Sequence, residues 1–184
     1  MKLQDILNKW KIKCDIYTLF SMWNETQRHY HTLSHLNDLI RQIKEHISEF
    51  TQEEYEKLII TALFHDCIYD PSKNDNEEKS ADFFMNCCVD KNKDIQEINQ
   101  MILDTKTHKS NTKLSEIFNK FDMNIVERKF SELLEWEKGI AKEYSFYSKE
   151  EYKEGRIKFL ESLLDKYVNN TKNLLKLIDY VRNN

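Results

Sequence analysis

The stretch TALFHDCIYD, residues 61–70, ends an apolar run with two adjacent polar side chains, His65 and Asp66. A buried carboxylate without a partner is very costly. Asp66 at a core edge therefore calls for a cation, either a metal ion or a well-placed Arg or Lys. On a helix the two side chains point about 100° apart, so one ion meets both only from over the helix edge. A salt bridge or a helix C-cap would satisfy them without metal. The chain has six histidines, three of them in RHYHTLSHL. His31 and His35 are four residues apart and share a face if the helix includes both. Two imidazoles so placed chelate one ion, or one caps the helix while the other packs. His108 closes ILDTKTH, either facing the helix dipole or serving as a ligand. Asp122 stands among apolar residues in FDMNIV, as an N-cap or as a further carboxylate. Together these are His31, His35, His65, Asp66, His108 and Asp122. Mixed His and Asp donors suit a divalent ion such as Mn, Fe, Co, Ni, Zn or Mg. Such a site activates water and clamps the oxygens of a phosphate under in-line attack. Arg28, Lys106 and Arg156 are the basic groups expected to hold that phosphate.

Helices must position these residues. The 184-residue chain has two glycines and one proline, too few turn formers for a β-rich fold, and an all-α chain is expected. The length suits one domain with a sizeable core. Lysines and acids are interleaved and the net charge is -4, so no nucleic-acid polymer is expected as partner. No apolar stretch is long enough to span a membrane, and no secretory signal pattern is seen. The four cysteines form no CxxC pair, which predicts a reducing, cytoplasmic setting.

Apolar residues recur at helical spacing over residues 3–23, then over about 32–49, where Leu33, Leu36, Leu39, Ile40, Ile43 and Ile47 make one stripe. Thr51 and Glu54 predict a capping box for a helix over 52–68. Pro71 falls in a loop closed by a second box, Asp75 to Glu78. Helices are expected over 76–88 and 92–107, a loop at THKSNTKLS, and two or three more helices over 115–183, one capped by Ser148 with Glu151. The expectation is a single domain, residues 1–184, of about eight helices. Gly155 falls mid-helix, where it costs up to about 1 kcal/mol against Ala; a close helix crossing or a nearby ligand would explain it. Tyr144, Phe146 and Tyr147 either pack internally or form a dimer face, and the oligomeric state is left open.

The segments RHYHTLSHL, FHDCIYDPSKNDNEEKSA, ILDTKTH and EYSFYSKEEYKEGRIKFLESLL, taken in order, resemble a bacterial-type family of predicted metal-dependent HD-superfamily phosphohydrolases. The likeness covers nearly the whole chain, and the block from FHD to EEKSA is its most specific part. It implies an all-helical bundle and a metal held by a first His, a His-Asp pair and a later Asp. By that likeness His31 matches the first His and His65 with Asp66 the pair. His35 and His108 match further family histidines, which would serve a second ion or the phosphate. Asp75, Asn76, Glu77 and Glu78 match an acidic segment at the mouth of the site, with Glu77 or Glu78 as the water-orienting base.

Two departures stand out. The family shows D-x-D where this chain reads DMN, so Asp122 is kept and Asn124 replaces the second aspartate; either position could be the ligand. In GIAKEY, Ala141 stands where the family tends to have Arg. The resemblance implies a metal-dependent hydrolase of a small phosphate ester, a nucleotide among the options. The alternative is a weakened or inactive descendant that binds metal or nucleotide without turnover.

Overall fold

The computed structural model describes residues 2–184. Among them it contains ten α-helices and no β-strand, as the scarcity of turn formers predicts. They fall into two compact units, one ending at Asp122 and one beginning at Met123. No helix among the described residues is long and apolar enough to cross a membrane.

The first unit holds α1 (Leu3–Lys9), α2 (Ile16–Met22), α3 (Leu33–Glu45), α4 (Gln52–Phe64), α5 (Asn76–Cys87), α6 (Lys93–Asp104) and α7 (Lys113–Asp122). Its axis is α4. Every residue from Tyr55 to Phe64 is buried, and α1, α3, α5, α6 and α7 all pack against this helix. A helix buried on every side must neutralise its own polar residues. Lys57 does so with Glu53, Asp94 and Glu97 at 2.8–2.9 Å. Glu56 accepts from Lys9, Trp10 and Gln52 at 2.7–2.8 Å.

The helical stripe over residues 3–23 is broken in two. Lys11 takes the left-handed conformation (φ 53°). Ile12 N donates to Leu7 O at 2.9 Å and Lys11 N to Asn8 O at 3.1 Å, the paired bonds of a Schellman stop. Ile12 then buries itself and bridges to Cys88. The α3 stripe ends at Glu45; Ile47, expected on its apolar face, lies in a short 3-10 turn and is exposed. The 52–68 helix stops at Phe64, so His65 is its C-cap and Asp66 lies in the turn beyond. The Thr51–Glu54 and Ser148–Glu151 boxes form as expected. The Asp75–Glu78 box does not: the Asp75 side chain makes no cap bond and pairs with Lys79 at 2.9 Å, while Glu78 pairs with Lys106.

The second unit holds α8 (Phe130–Glu143), α9 (Lys149–Ser162) and α10 (Thr171–Asn183). Leu133, Trp136 and Ile140 of α8, Leu160 of α9, and Leu174, Leu177, Ile178 and Val181 of α10 are buried. Gly155 of α9 is exposed, and an added Cβ would meet nothing within 4 Å. The expected close crossing is therefore absent there. Tyr144, Phe146 and Tyr147 lie against one another with ring centroids 4.5–6.3 Å apart. Phe146 and Tyr147 stay half exposed.

Candidate metal centre

The six metal-ligand candidates come from five places in the first unit. His31 lies in the turn before α3, and His35 projects from the first turn of that helix. His65 caps α4, and Asp66 follows it. His108 belongs to the loop after α6, and Asp122 ends α7. His31 precedes the helix rather than sharing a helical face with His35, yet the two rings lie 5.9 Å apart.

Asp122 is the hub. Its Oδ1 is 3.1 Å from His35 Nε2 and 3.7 Å from His65 Nε2, and its Oδ2 is 3.2 Å from His108 Nε2. Asp66 Oδ2 lies 3.2 Å from His65 Nε2. Donor atoms of His35, His65 and Asp66 all fall within 4.8 Å of one another, close enough to hold one metal ion.

His65 is the best-defined donor. Its ring is 1% exposed, and Nδ1 lies 3.1 Å from the Ala62 carbonyl. In the neutral ring that contact puts the proton on Nδ1 and leaves Nε2 free to accept or to ligate. Nε2 is buried and makes no hydrogen bond of good geometry; it faces the Asp66 and Asp122 carboxylates instead. A buried nitrogen facing two carboxylates is, once deprotonated, a donor set that could hold a divalent cation.

The electrostatics describe the same shortage of positive charge. Burial works against the charged form of His65, but the Asp66 and Asp122 charges outweigh it and raise its pKa to about 9. Burial likewise opposes ionisation of Asp66, yet the charge and contact of His65, with His31 behind, hold its carboxyl well below the ordinary carboxylate range. Asp122 is held low against burial by His108 and His35, then by the charge of His65. Without metal, the imidazolium of His65 is the cation that neutralises the pair.

The expected phosphate-binding residues are differently employed. Arg28 is buried beneath the site. Its Nη1 donates to His31 O (3.0 Å) and Asp66 O (2.9 Å), and its Nη2 to Cys67 O (3.0 Å). The guanidinium also contacts Glu25 and lies between the Trp23 and Tyr69 rings. It is a strut joining the two histidine segments. Lys106 bonds Glu78 and the Asn74 carbonyl. Arg156 lies in the second unit, its Nε 2.7 Å from Glu137 Oε2 and its guanidinium over Trp136.

Of the acidic segment, Asn76 closes the loop by bonding both backbone groups of Asp70 at 2.9–3.0 Å. Glu77 is half-buried; burial raises its carboxyl pKa, and the Asp66 charge adds to the rise. One oxygen of Glu78 pairs with Lys106 and the other is buried without a hydrogen bond. Asn124 accepts from Arg128 Nε at 3.1 Å. Asp122, the first of the two candidate positions, is the one gathered with the histidines.

The sequence reading missed Asp104, which is buried at the end of α6 and closes the loop bearing His108. Its only sequence signal is a carboxylate in the apolar run MILD, four residues before that histidine. No known family model matches the chain, and no curated protein or solved structure matches it.

Proposed function

We propose that the chain is a metal-dependent phosphohydrolase of the HD type, acting on a small phosphate ester, with nucleotides as one candidate class. The observation that carries this reading is His65 Nε2, a buried nitrogen facing two carboxylates on a ring whose Nδ1 is held by the Ala62 carbonyl. His35, His65, Asp66 and Asp122 would hold the ion, with His31 and His108 at its flanks. A divalent ion bound there supplies Lewis acidity toward a phosphoryl oxygen and lowers the pKa of a water.

The chain's own residues supply the rest. Asp122 orients three imidazoles at once. Burial and the Asp66 charge raise the pKa of Glu77, which makes it the candidate for the water-orienting base. Lys106 would meet the phosphate only by leaving Glu78. The four thiols are free, which fits a reducing compartment, and we place the protein in the cytoplasm on that reading.

The test is metal content after chelator stripping and reloading with mixed divalent ions, paired with phosphate release from a panel of phosphate esters. Wild type is expected to retain metal and release phosphate, and Asp66→Ala to do neither. Turnover that survives in Asp66→Ala would sink the mechanism. A second reading, a metal- or nucleotide-binding module without turnover, is favoured by the engagement of Arg28, Lys106 and Arg156 elsewhere. It predicts metal retention and nucleotide-dependent thermal stabilisation with no phosphate released.

A further inference from the structure

His108 stands on the loop between α6 and α7 with φ 51°, a left-handed conformation uncommon outside Gly, although His, like Asn and Asp, adopts it more readily than other residues. A sparsely populated backbone state persists only where the surroundings over-determine it. The loop's own sequence, Thr105 to Thr112, offers little apolar surface to do this.

The restraint is Asp104. Its carboxylate is placed against two physical preferences: it is 4% exposed, and it sits at the C-terminal end of a helix, where the dipole disfavours negative charge. Four donors compensate. Oδ1 accepts from Gln100 Nε2 at 2.8 Å and from Asn111 Nδ2 at 2.6 Å. Oδ2 accepts from Asn111 N at 3.1 Å and from Ser115 Oγ at 2.6 Å. These bonds reach back into α6, across the loop, and forward into α7. A second tie, Asn119 Nδ2 to Ser110 Oγ at 3.1 Å, pins the same loop. Between the pinned ends, His108 Nε2 meets Asp122 Oδ2.

We infer that Asp104 is a positioning residue: it closes the 105–112 loop and so sets the His108 imidazole against Asp122. It touches no reacting group and acts through His108. Its effect on metal affinity rests on the metal-centre reading given above; its effect on the loop does not.

The experiment uses the full chain with Mn²⁺ as probe, comparing wild type, Asp104→Asn, His108→Ala and the double variant. Asn keeps the shape and one acceptor but presents an amide to donors that need a carboxylate. Loss of such an outer partner weakens Mn²⁺ binding about tenfold or more. The expected signature is that Asp104→Asn weakens Mn²⁺ in the wild-type background and changes nothing further once His108 is Ala. Equal losses in both backgrounds would mean general destabilisation and overturn the inference, as would no loss in a metal-binding wild type. Amide hydrogen exchange of the metal-free proteins is the second arm. Asp104→Asn should accelerate exchange over residues 106–111 and leave α4 protected; unchanged exchange overturns the inference. Wild type that takes up no Mn²⁺, with exchange accelerated as expected, would sink the metal reading alone. If Asp104→Asn fails to fold, Ser115→Ala removes one of the four bonds and is expected to move both readouts in the same direction by less.

Discussion

Arg28 Nη1 donates to the backbone carbonyl of Asp66 at 2.9 Å, across 38 residues of chain. The same nitrogen bonds the carbonyl of His31, so one guanidinium fixes the spacing between the two histidine segments. A buried Arg between two rings, with its bonds spent on carbonyls, serves the frame of the site.

Replacing Arg28 should therefore damage both stability and metal uptake. Bonds from a charged donor contribute roughly 1.5–3 kcal/mol each, and removing a buried partner strands the carbonyls. Arg28→Met is expected to lose about 3 kcal/mol in urea denaturation and to retain less metal. Arg28→Lys should rescue little, since an ammonium lacks the fork that reaches three carbonyls. Wild-type stability and metal content in Arg28→Lys would refute this role.

Asp122 and Asn124 make opposite predictions. Asp122 contacts three imidazoles, whereas Asn124 spends its amide oxygen on Arg128. Asp122→Asn should lose bound metal by mass spectrometry. Asn124→Asp should leave metal content unchanged; a gain in that variant would assign the ligand to the second position instead.

Glu56 gives a pH dependence. Burial alone would raise its pKa, but the bonds from Lys9, Trp10 and Gln52 outweigh that, and the folded value lies below the ordinary 4.5. A lowered folded pKa means stability that is present above 4.5 and lost as pH falls through the folded value. Glu56→Gln should cost about 2 kcal/mol at pH 7. The gap to wild type should narrow on acidification below 4.5. Denaturation curves of both proteins between about pH 3 and 7 decide it, and a gap that stays constant would contradict the assignment.

Gly155 lies exposed in α9 with open space where a Cβ would go. Gly155→Ala is expected to stabilise the protein by about 0.5–1 kcal/mol through helix propensity alone. A drop in thermal midpoint would show that the position answers to a constraint outside the helix.

Much of this was legible in the sequence. Two glycines and one proline leave a chain little choice but helix, and the Thr51–Glu54 and Ser148–Glu151 boxes are local hydrogen-bond patterns that residue type and spacing write directly. The six candidate ligands could likewise be picked out, because His and Asp beside apolar runs demand an explanation. What sequence could not supply was each residue's partner. The Asp75–Glu78 pattern is as good a box on paper, but Lys79 and Lys106 compete for its carboxylates and win. Arg28 reads as a free cation until 38 residues of chain fold back to offer it carbonyls. Asp104 draws no notice in the sequence until the loop closes over it. Local rules fix where helices start and what each side chain can do. Only the packing of α3, α6 and α7 on α4 decides which side chains meet, because burial is what turns a nearby charge into an obligatory partner.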